Sequence, residues 1–144
     1  MKKTAAIIFI NEDGDILLQQ RDEQAPVNPN EWGLFGGAVE GEESPEEAVR
    51  RETEEELGVT LKSIPLHFLG TYTYKNVGHG LTEMSVFYTT YDKNRKGELH
   101  EGKGLGFFNR EEIRHLRTAP SVKDTTIVAD LLERHKTNTH ADLT

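Results

Sequence analysis

A length of 144 residues, with 35% hydrophobic and 29% charged side chains, is typical of one compact globular domain and excludes a disordered chain. The absence of cysteine excludes a disulfide framework, a thiolate nucleophile and zinc held by cysteine. The formal net charge of −8 argues against sequence-independent binding to a nucleic acid polymer, which needs clustered Lys and Arg; a phosphorylated small molecule held through a cation stays compatible with it.

The first predicted elements are two short strands, residues 4–10 and 15–20, joined by a polar turn that contains glycine. The apolar run at residues 5–10 is too short to cross a membrane and does not resemble a signal peptide, which predicts a cytoplasmic protein with no membrane partner. Residues 24–31 contain two prolines and predict a loop. The apolar, glycine-rich residues 32–39 predict a bent strand that leads to a site.

A helix is predicted from Pro45 to about Leu57. Ser44 is a suitable N-cap, Pro45 fits the first helical position, and Glu47 stands three residues after Ser44 as its capping-box partner. Gly58 is a natural stop because glycine readily adopts the left-handed conformation that ends many helices.

The second half of the chain predicts further strands and helices of one α/β domain, residues 1–135. The strands carry β-branched and aromatic residues and are predicted at residues 64–74, 84–91 and 105–108. The helices are predicted at residues 110–116 and, from its amphipathic spacing, 122–135. The polar residues 136–144 are predicted to form a frayed tail.

The predicted helix carries an unusual concentration of carboxylates, since nine of the eighteen Glu residues lie within residues 40–56. At 100° per residue, Glu56 lies about 40° and Glu55 about −60° from Glu52, so these three share one arc. Glu54 lies on the far side and is predicted to face solvent. The arc is either a charged surface built from a good helix former or a set of hard oxygen ligands for Mg²⁺ or Mn²⁺. Helical geometry alone leaves both interpretations open.

The residues before the helix favour the second interpretation. Gly37 is followed after five residues by Glu43, and Glu43 after seven by the pair Arg51-Glu52. With the residues that follow, this spacing resembles the signature of the Nudix hydrolases, G-x5-E-x7-R-E-U-x-E-E-x-G-U, in which U is a bulky apolar residue. The resemblance covers residues 4–135 and implies a Nudix-like α/β/α sandwich with a mixed β-sheet, in which Glu43 and Gly58 have structural roles.

Three positions depart from the usual pattern. Thr53 stands at the first U position and brings a hydroxyl that needs a partner. Gly41 lies one place earlier than the glycine that often precedes the first Glu of the signature, and Phe35 stands where many relatives have proline.

Nudix hydrolases cleave a nucleoside diphosphate linked to another group X and use a divalent cation. The resemblance implies that Mg²⁺ or Mn²⁺ is held by Glu52, Glu55 and Glu56, with the Gly37 carbonyl as a backbone ligand. Such a cation neutralises charge and activates the attacking water. Arg51 is predicted to orient the cluster by pairing with Glu43 or Glu55.

The general base of many relatives lies on a loop before the last strand. Glu101 is the preferred candidate because a Glu-Gly pair followed shortly by an aromatic strand looks like the family pattern. Glu98 in the same loop and Glu52 in the helix are the alternatives. A carboxylate near the cation stays ionised at neutral pH, as a base must.

Most of the substrate-binding candidates have a plainer alternative. Arg21 holds a phosphate or is a surface charge, and Asp124 reads a purine edge or serves a helix N-terminus. Four aromatic residues stack on a base or belong to the core: Trp32, Phe35, Tyr72 and Tyr74. Three residues in predicted loops are expected to approach phosphates: Lys75, His79 and Lys103.

The predicted reaction is Mg²⁺-dependent hydrolysis of a (d)NTP, including a non-standard or oxidised purine triphosphate, to the monophosphate and pyrophosphate. The alternatives are a hydrolase of a nucleotide sugar, ADP-ribose or a dinucleoside polyphosphate, and a catalytically silent domain that senses a nucleotide. The predicted partner is a small nucleoside diphosphate derivative, with no nucleic acid polymer, and a homodimer is one of the assembly states that the resemblance allows.

Overall fold

The computed structural model of the protein describes residues 1–142 except 26–28, 59, 77–79, 91–103, 120–121 and 123–125, and it describes only the backbone of residues 76 and 136–142. Strands and helices alternate along these residues. The strands are β1 (Lys2–Ile10), β2 (Ile16–Gln20), β3 (Trp32–Gly33), β4 (Phe35–Ala38), β5 (His67–Asn76), β6 (Gly80–Thr90) and β7 (Leu105–Phe108), and the helices are α1 (Pro45–Leu57), α2 (Arg110–Arg114) and α3 (Thr126–Asp142). None of the helices in the described part of the chain has the length and apolar character of a membrane span.

The strands form one mixed sheet in the order β3-β2-β1-β6-β5. Strand β1 runs parallel to β6 along its whole length. On its other side it pairs antiparallel with β4 at residues 4–7 and with β2 at Ile10. Strand β7 pairs antiparallel with β2. The predicted mixed β-sheet is confirmed.

Strand β1 is the centre of the hydrophobic core because six consecutive residues, 5–10, are buried. Side chains alternate across a strand, so Ala5, Ile7 and Phe9 face the layer that contains α1. The other three face the layer that contains α3. Each fully buried large apolar side chain stabilises the fold by about 1.5–3 kcal/mol, and the two layers make the sheet the middle of an α/β/α sandwich.

Helix α1 begins and ends where its caps predict. The Ser44 hydroxyl accepts the Glu47 backbone N–H at 3.1 Å, and the Glu47 carboxylate accepts the Ser44 N–H at 3.0 Å. Gly58 has a φ of 69° and donates its N–H to the Glu54 carbonyl at 2.8 Å. The predicted bounds, Pro45 and Leu57, are confirmed.

The residues after α1 are tied back to the helix by side chains on its outer face. Glu54 accepts the Leu61 backbone N–H at 2.7 Å, so the prediction that it only faces solvent is wrong. Arg50 donates to the carbonyl oxygens of Leu61 and, at 3.0 Å, Ile64. These bonds satisfy backbone groups of a segment that has no strand or helix partner for them.

Several element boundaries differ from the prediction. Residues 32–39 form two strands, β3 and β4, that separate at Leu34. Strand β5 begins at His67, later than residue 64, because Pro65 has no N–H to donate to a neighbouring strand. Helix α3 continues to Asp142, past the predicted end at residue 135, since neither Pro nor Gly interrupts residues 136–142.

Among the glycines that the structure describes, Gly36 has the least room for a side chain. Its φ is 139°, and a Cβ built there would lie 2.0 Å from the Ala5 carbonyl oxygen. Gly36→Ala should destabilise the protein by roughly 3 kcal/mol or more, because backbone strain of about 1–3 kcal/mol adds to overpacking of similar size. The free energy of unfolding in urea measures this loss.

Gly41→Ala is the matched control. Gly41 also has a positive φ, 53°, but a Cβ there would meet nothing within 4 Å. Its replacement should therefore cost only the left-handed strain of about 1–2 kcal/mol. Equal losses in the two variants would contradict the close approach of Gly36 to β1.

Candidate functional site

The last two turns of α1 lie against the backbone of β4, and two of the predicted cation ligands meet there. The Gly36 N–H donates to Oε1 of Glu56 at 3.0 Å. A Cβ built at Gly37 would lie 2.6 Å from Cδ of Glu52. Glycine at residue 37 therefore leaves the space that the Glu52 carboxylate occupies. We call this place, formed by Gly36, Gly37, Glu52 and Glu56, the carboxylate corner.

Arg51 joins the first Glu of the signature to this corner. Its guanidinium makes two parallel bonds to Glu43, Nε to Oε2 at 2.7 Å and Nη2 to Oε1 at 2.8 Å. Its Nη1 donates to Oε1 of Glu52 at 2.9 Å, and its Nη2 to the Ala38 carbonyl at 3.3 Å. A two-bonded Arg–carboxylate pair fixes direction as well as distance, so Arg51 holds Glu52 beside Gly37.

Two further carboxylates surround the same guanidinium at longer range. Oε2 of Glu40 lies 3.7 Å from Nη2 of Arg51, and Oε1 of Glu55 lies 3.9 Å from Nη1. The Glu55 side chain is 64% exposed, against 23% for Glu52. Glu55 therefore lies on the solvent side of Glu52.

Gly41 does not disturb this arrangement, although it stands one place early in the signature. It turns the chain in the left-handed region, and Glu43 still reaches Arg51. Within the turn, Glu43 accepts the Glu40 backbone N–H at 3.0 Å. Thr53 is fully buried, and its hydroxyl has no hydrogen-bond partner within the described residues.

Arg51 and Glu43 each stabilise the charged form of the other. Hydrogen bonds from Arg51, with help from the Glu40 N–H, lower the pKa of Glu43 to about 2. The hydrogen bonds to Glu43 and Glu52 in turn raise the pKa of Arg51. These two groups remain an ion pair over the whole physiological pH range.

Glu56 has the opposite environment. Although much of the residue is exposed, burial of its carboxyl end raises its pKa, and the negative charge of Glu52 adds to that effect. Hydrogen bonds from Gln19 and from the Gly36 N–H, together with the positive charge of Arg21, act against it. The corner therefore brings two carboxylates close enough to repel each other, and a cation between them would relieve that repulsion.

The donor set suits a hard divalent cation in chemical type, because Mg²⁺ and Mn²⁺ prefer carboxylate and carbonyl oxygens. Among the described residues, no three His, Asp or Glu side chains form a ready-made metal cage. Two of the proposed ligands already have hydrogen-bond partners: Glu52 is held by Arg51, and Glu56 by Gln19 and Gly36. To surround an ion, Glu52 would have to adjust and Glu55 would have to turn in from the solvent side, whereas Glu56 can keep both of its hydrogen bonds because each of its oxygens has a second lone pair.

The predicted substrate residues are divided between the two sides of the sheet. Arg21 lies close enough to Glu56 to affect its charge, and it lines a cavity of about 510 Å³ with Asp22, Glu23 and Asn30. Phe35 is buried beside Phe9, with ring centroids 5.8 Å apart, so the hypothesis that it stacks on a base is wrong.

The other three aromatic candidates pack against the core on the α3 side. Trp32 is half-buried and meets Phe108 edge to face at 4.9 Å between centroids. The Tyr72 hydroxyl donates to Asp130 of α3 at 2.7 Å. Tyr74 is half-buried against the same core. These contacts favour the core interpretation for Tyr72, which is fixed to a helix.

The other predicted residues have less structural context. Lys75 lies in β5, opposite Leu81 of β6, and not in a loop. The remaining candidates lie outside the described residues: His79, Glu98, Glu101, Lys103 and Asp124.

The sequence prediction missed Gln19. Its side-chain amide lies 2.8 Å from Oε2 of Glu56. The spacing of Gln19 from the candidate Arg21 could have identified it from the sequence. Side chains two residues apart on a strand share a face, so Gln19 lies on the same face as Arg21, the predicted phosphate ligand.

Comparisons with known proteins agree with this geometry. The NUDIX domain model matches residues 1–135. The nucleoside triphosphatase NudI of Escherichia coli strain UMN026 is 35% identical over 107 residues, which cover 69% of this chain and 76% of that protein.

Solved structures extend the comparison of the fold. A mutT/nudix family protein from Listeria innocua superposes with a TM-score of 0.72 at 23% identity, covering 97% of both chains. The NUDIX domain of Shewanella oneidensis NrtR, complexed with ADP ribose, has a TM-score of 0.68 at 18% identity and covers 93% of this chain and 88% of that one. At these identities the likeness concerns the fold alone.

The pairing of Glu43 with Arg51 predicts a pH-dependent stability. The pKa of Glu43 falls from 4.5 to about 2 on folding, so its contribution is complete above pH 4.5 and is lost as the pH falls towards about 2. Glu43→Gln should therefore lower the free energy of unfolding at pH 5 to 7, and its difference from wild type should shrink below pH 4.5. Urea unfolding at a series of pH values measures both.

Glu46→Gln is the control for this prediction. Glu46 lies on the same helix and forms an exposed ion pair with Arg50 at 3.6 Å, which should contribute little. A difference between Glu43→Gln and wild type that stays constant from pH 7 to pH 2 would show that the pair does not titrate as described.

Proposed function

The chain belongs to the NUDIX domain family and is a Nudix-type diphosphate hydrolase, and on that premise we propose that it hydrolyses a (d)NTP with Mg²⁺ to give the monophosphate and pyrophosphate. The observation that carries the proposal is the carboxylate corner, where Glu52 and Glu56 meet beside two glycines. Non-standard or oxidised purine triphosphates belong to the same proposed class.

The proposed cation ligands are Glu52, Glu55, Glu56 and the Gly37 carbonyl. When bound, a divalent cation neutralises the charge of the diphosphate and lowers the pKa of the attacking water. Arg51 keeps Glu52 at the corner and is itself occupied by Glu43. Its role is therefore to orient the ligands, and not to contact phosphate.

Water attacks one phosphorus of the diphosphate, and the P–O bond to the leaving group breaks. The water proton must be accepted by a base, and we assign this step to Glu101, with Glu98 and Glu52 as the alternatives. Arg21 is proposed to balance negative charge on the phosphates, and its charge effect on Glu56 supports a place near the corner. Trp32, Tyr74, Lys103 and Asp124 are proposed to contact the rest of the substrate.

A triphosphate is the first choice of substrate because the relative at 35% identity is a nucleoside triphosphatase. That name describes the relative and not this chain. Since one fold accepts many substrates, the choice needs a direct assay.

The decisive assay presents nucleoside triphosphates, nucleotide sugars, ADP-ribose and dinucleoside polyphosphates with Mg²⁺ to the wild type, to Glu56→Gln and to Glu46→Gln. We expect release of pyrophosphate from a triphosphate, a loss of at least 10²-fold in kcat for Glu56→Gln, and wild-type rates for Glu46→Gln, which lies at the other end of α1.

The other possible results of this assay lead to different conclusions about the protein. If only a sugar nucleotide or a dinucleotide is hydrolysed, the substrate belongs to that class and is not a triphosphate. If a nucleotide binds but none is hydrolysed, the protein is a nucleotide sensor and not an enzyme. Full activity of Glu56→Gln contradicts the proposed cation ligands.

The base assignment has its own test. Glu101→Gln should lower kcat by roughly 10²-fold or more and leave Mn²⁺ binding unchanged, because the amide keeps the shape of the side chain but cannot accept the proton. Single-turnover rates of Glu101→Gln and Glu98→Gln measure this. An unchanged rate in the first variant would move the role to Glu98 or Glu52.

A further inference from the structure

The side-chain amide of Gln19 lies between strand β2 and the end of α1. Its Nε2 is 2.8 Å from Oε2 of Glu56 and 3.3 Å from the carbonyl oxygen of Leu34. An amide nitrogen has two N–H donors, so one contacts the helix carboxylate and the other the backbone where β3 and β4 separate. Gln19 thus connects three elements at the carboxylate corner.

Gln19 is itself held firmly. Within β2 it pairs with Gly33 of β3 on one side and with Leu105 of β7 on the other, and its side chain is half-buried. Glu56, in contrast, lies in the last turn of α1, where helices fray most easily. A long side chain such as Glu loses conformational entropy when it is fixed. Because Gln19 is paired with a strand on each side, its side-chain donor can offset that entropy cost before a ligand binds.

The two hydrogen bonds to Glu56 fall on different oxygens. The Gly36 N–H reaches Oε1 at 3.0 Å, and Gln19 reaches Oε2 at 2.8 Å. Together they fix the plane of the carboxylate. Each oxygen of a carboxylate has two lone pairs, so one on each remains for a cation.

The donor is also neutral, which matters for this site. Arg51 holds Glu52 through a positive charge, and a cationic donor bonded to Glu56 would add to the positive charge of Arg21 that already acts on it and would weaken the attraction for a divalent ion. An amide orients the carboxylate and leaves its charge intact.

We propose that Gln19 is a positioning residue that holds the Glu56 carboxylate in the orientation in which it binds the divalent cation. The inference rests on the proposed function, because it assumes that Glu56 is a cation ligand. Gln19 lies on β2, outside the signature, and would be a further residue that shapes the cation site.

The test uses Mn²⁺ as a probe of the substrate-free protein, with the free ion followed by electron paramagnetic resonance. Gln19→Met keeps the length of the side chain and removes both donors. It should weaken Mn²⁺ binding and lower kcat on the substrate of the wild type, each by about 10- to 100-fold, with a smaller change in KM. Gln20→Met is the matched control, since the neighbouring amide bonds to the Asn30 carbonyl at 3.0 Å, and it should stay within about twofold of wild type.

Glu56→Gln distinguishes a failure of the Gln19 role from a failure of the cation assignment. Loss of Mn²⁺ binding in Glu56→Gln with wild-type binding in Gln19→Met would overturn the role of Gln19 and leave the proposed function standing. Wild-type binding in Glu56→Gln would overturn the cation assignment itself.

A double-mutant cycle excludes a merely structural effect. If Gln19 acts through Glu56, then adding Gln19→Met to Glu56→Gln should change kcat by no more than about twofold, because contacting residues do not contribute additively. Additive losses would overturn the proposal. Should Gln19→Met not fold, Gln19→Asn takes its place, because its amide is one methylene too short to reach Glu56, and the same outcomes apply.

Discussion

The structure depends on the close approach of α1 to the strand backbone at Gly36 and Gly37. A side chain at residue 36 would collide with β1, and one at residue 37 would occupy the place of the Glu52 carboxylate. Because Gly36 has no side chain, β4 can lie close against β1, and because Gly37 has none, the acidic face of the helix can lie directly against the β4 backbone. The buried residues Ala48 and Val49 on the neighbouring face press the helix onto the sheet, so hydrophobic packing supplies the force that brings the carboxylates to the corner.

The crowding of Glu residues in α1 is resolved by giving the carboxylates different partners. Glu47 caps the helix start and Glu54 holds the chain after its end. Glu43 is neutralised by Arg51. Only Glu52 and Glu56 converge on the corner, with Glu55 at its solvent side. The like charges that look unfavourable in the sequence are thus mostly compensated, and the uncompensated part is concentrated where a divalent cation is proposed to bind.

Local sequence signals predicted the parts of the fold that depend on local physics. The bounds of α1 follow from the chemistry of Ser44, Glu47 and Gly58, and the helical arc of the Glu residues follows from 100° per residue. Contacts between distant segments were harder. Gln19 contacts the Glu56 carboxylate, and Glu54 contacts the Leu61 backbone N–H. Phe35 is buried beside Phe9 of the neighbouring strand. No spacing within one segment contains that information.

The central claim is that Glu52 and Glu56 hold a divalent cation beside Gly37. Anomalous diffraction at the manganese edge, from crystals grown with Mn²⁺ and a non-hydrolysable triphosphate, tests it most directly. The account predicts an anomalous peak about 2.0–2.3 Å from a carboxylate oxygen of each residue, a distance typical of hard divalent cations. A peak that contacts neither Glu52 nor Glu56, or binding of the nucleotide with no metal at the corner, would contradict it.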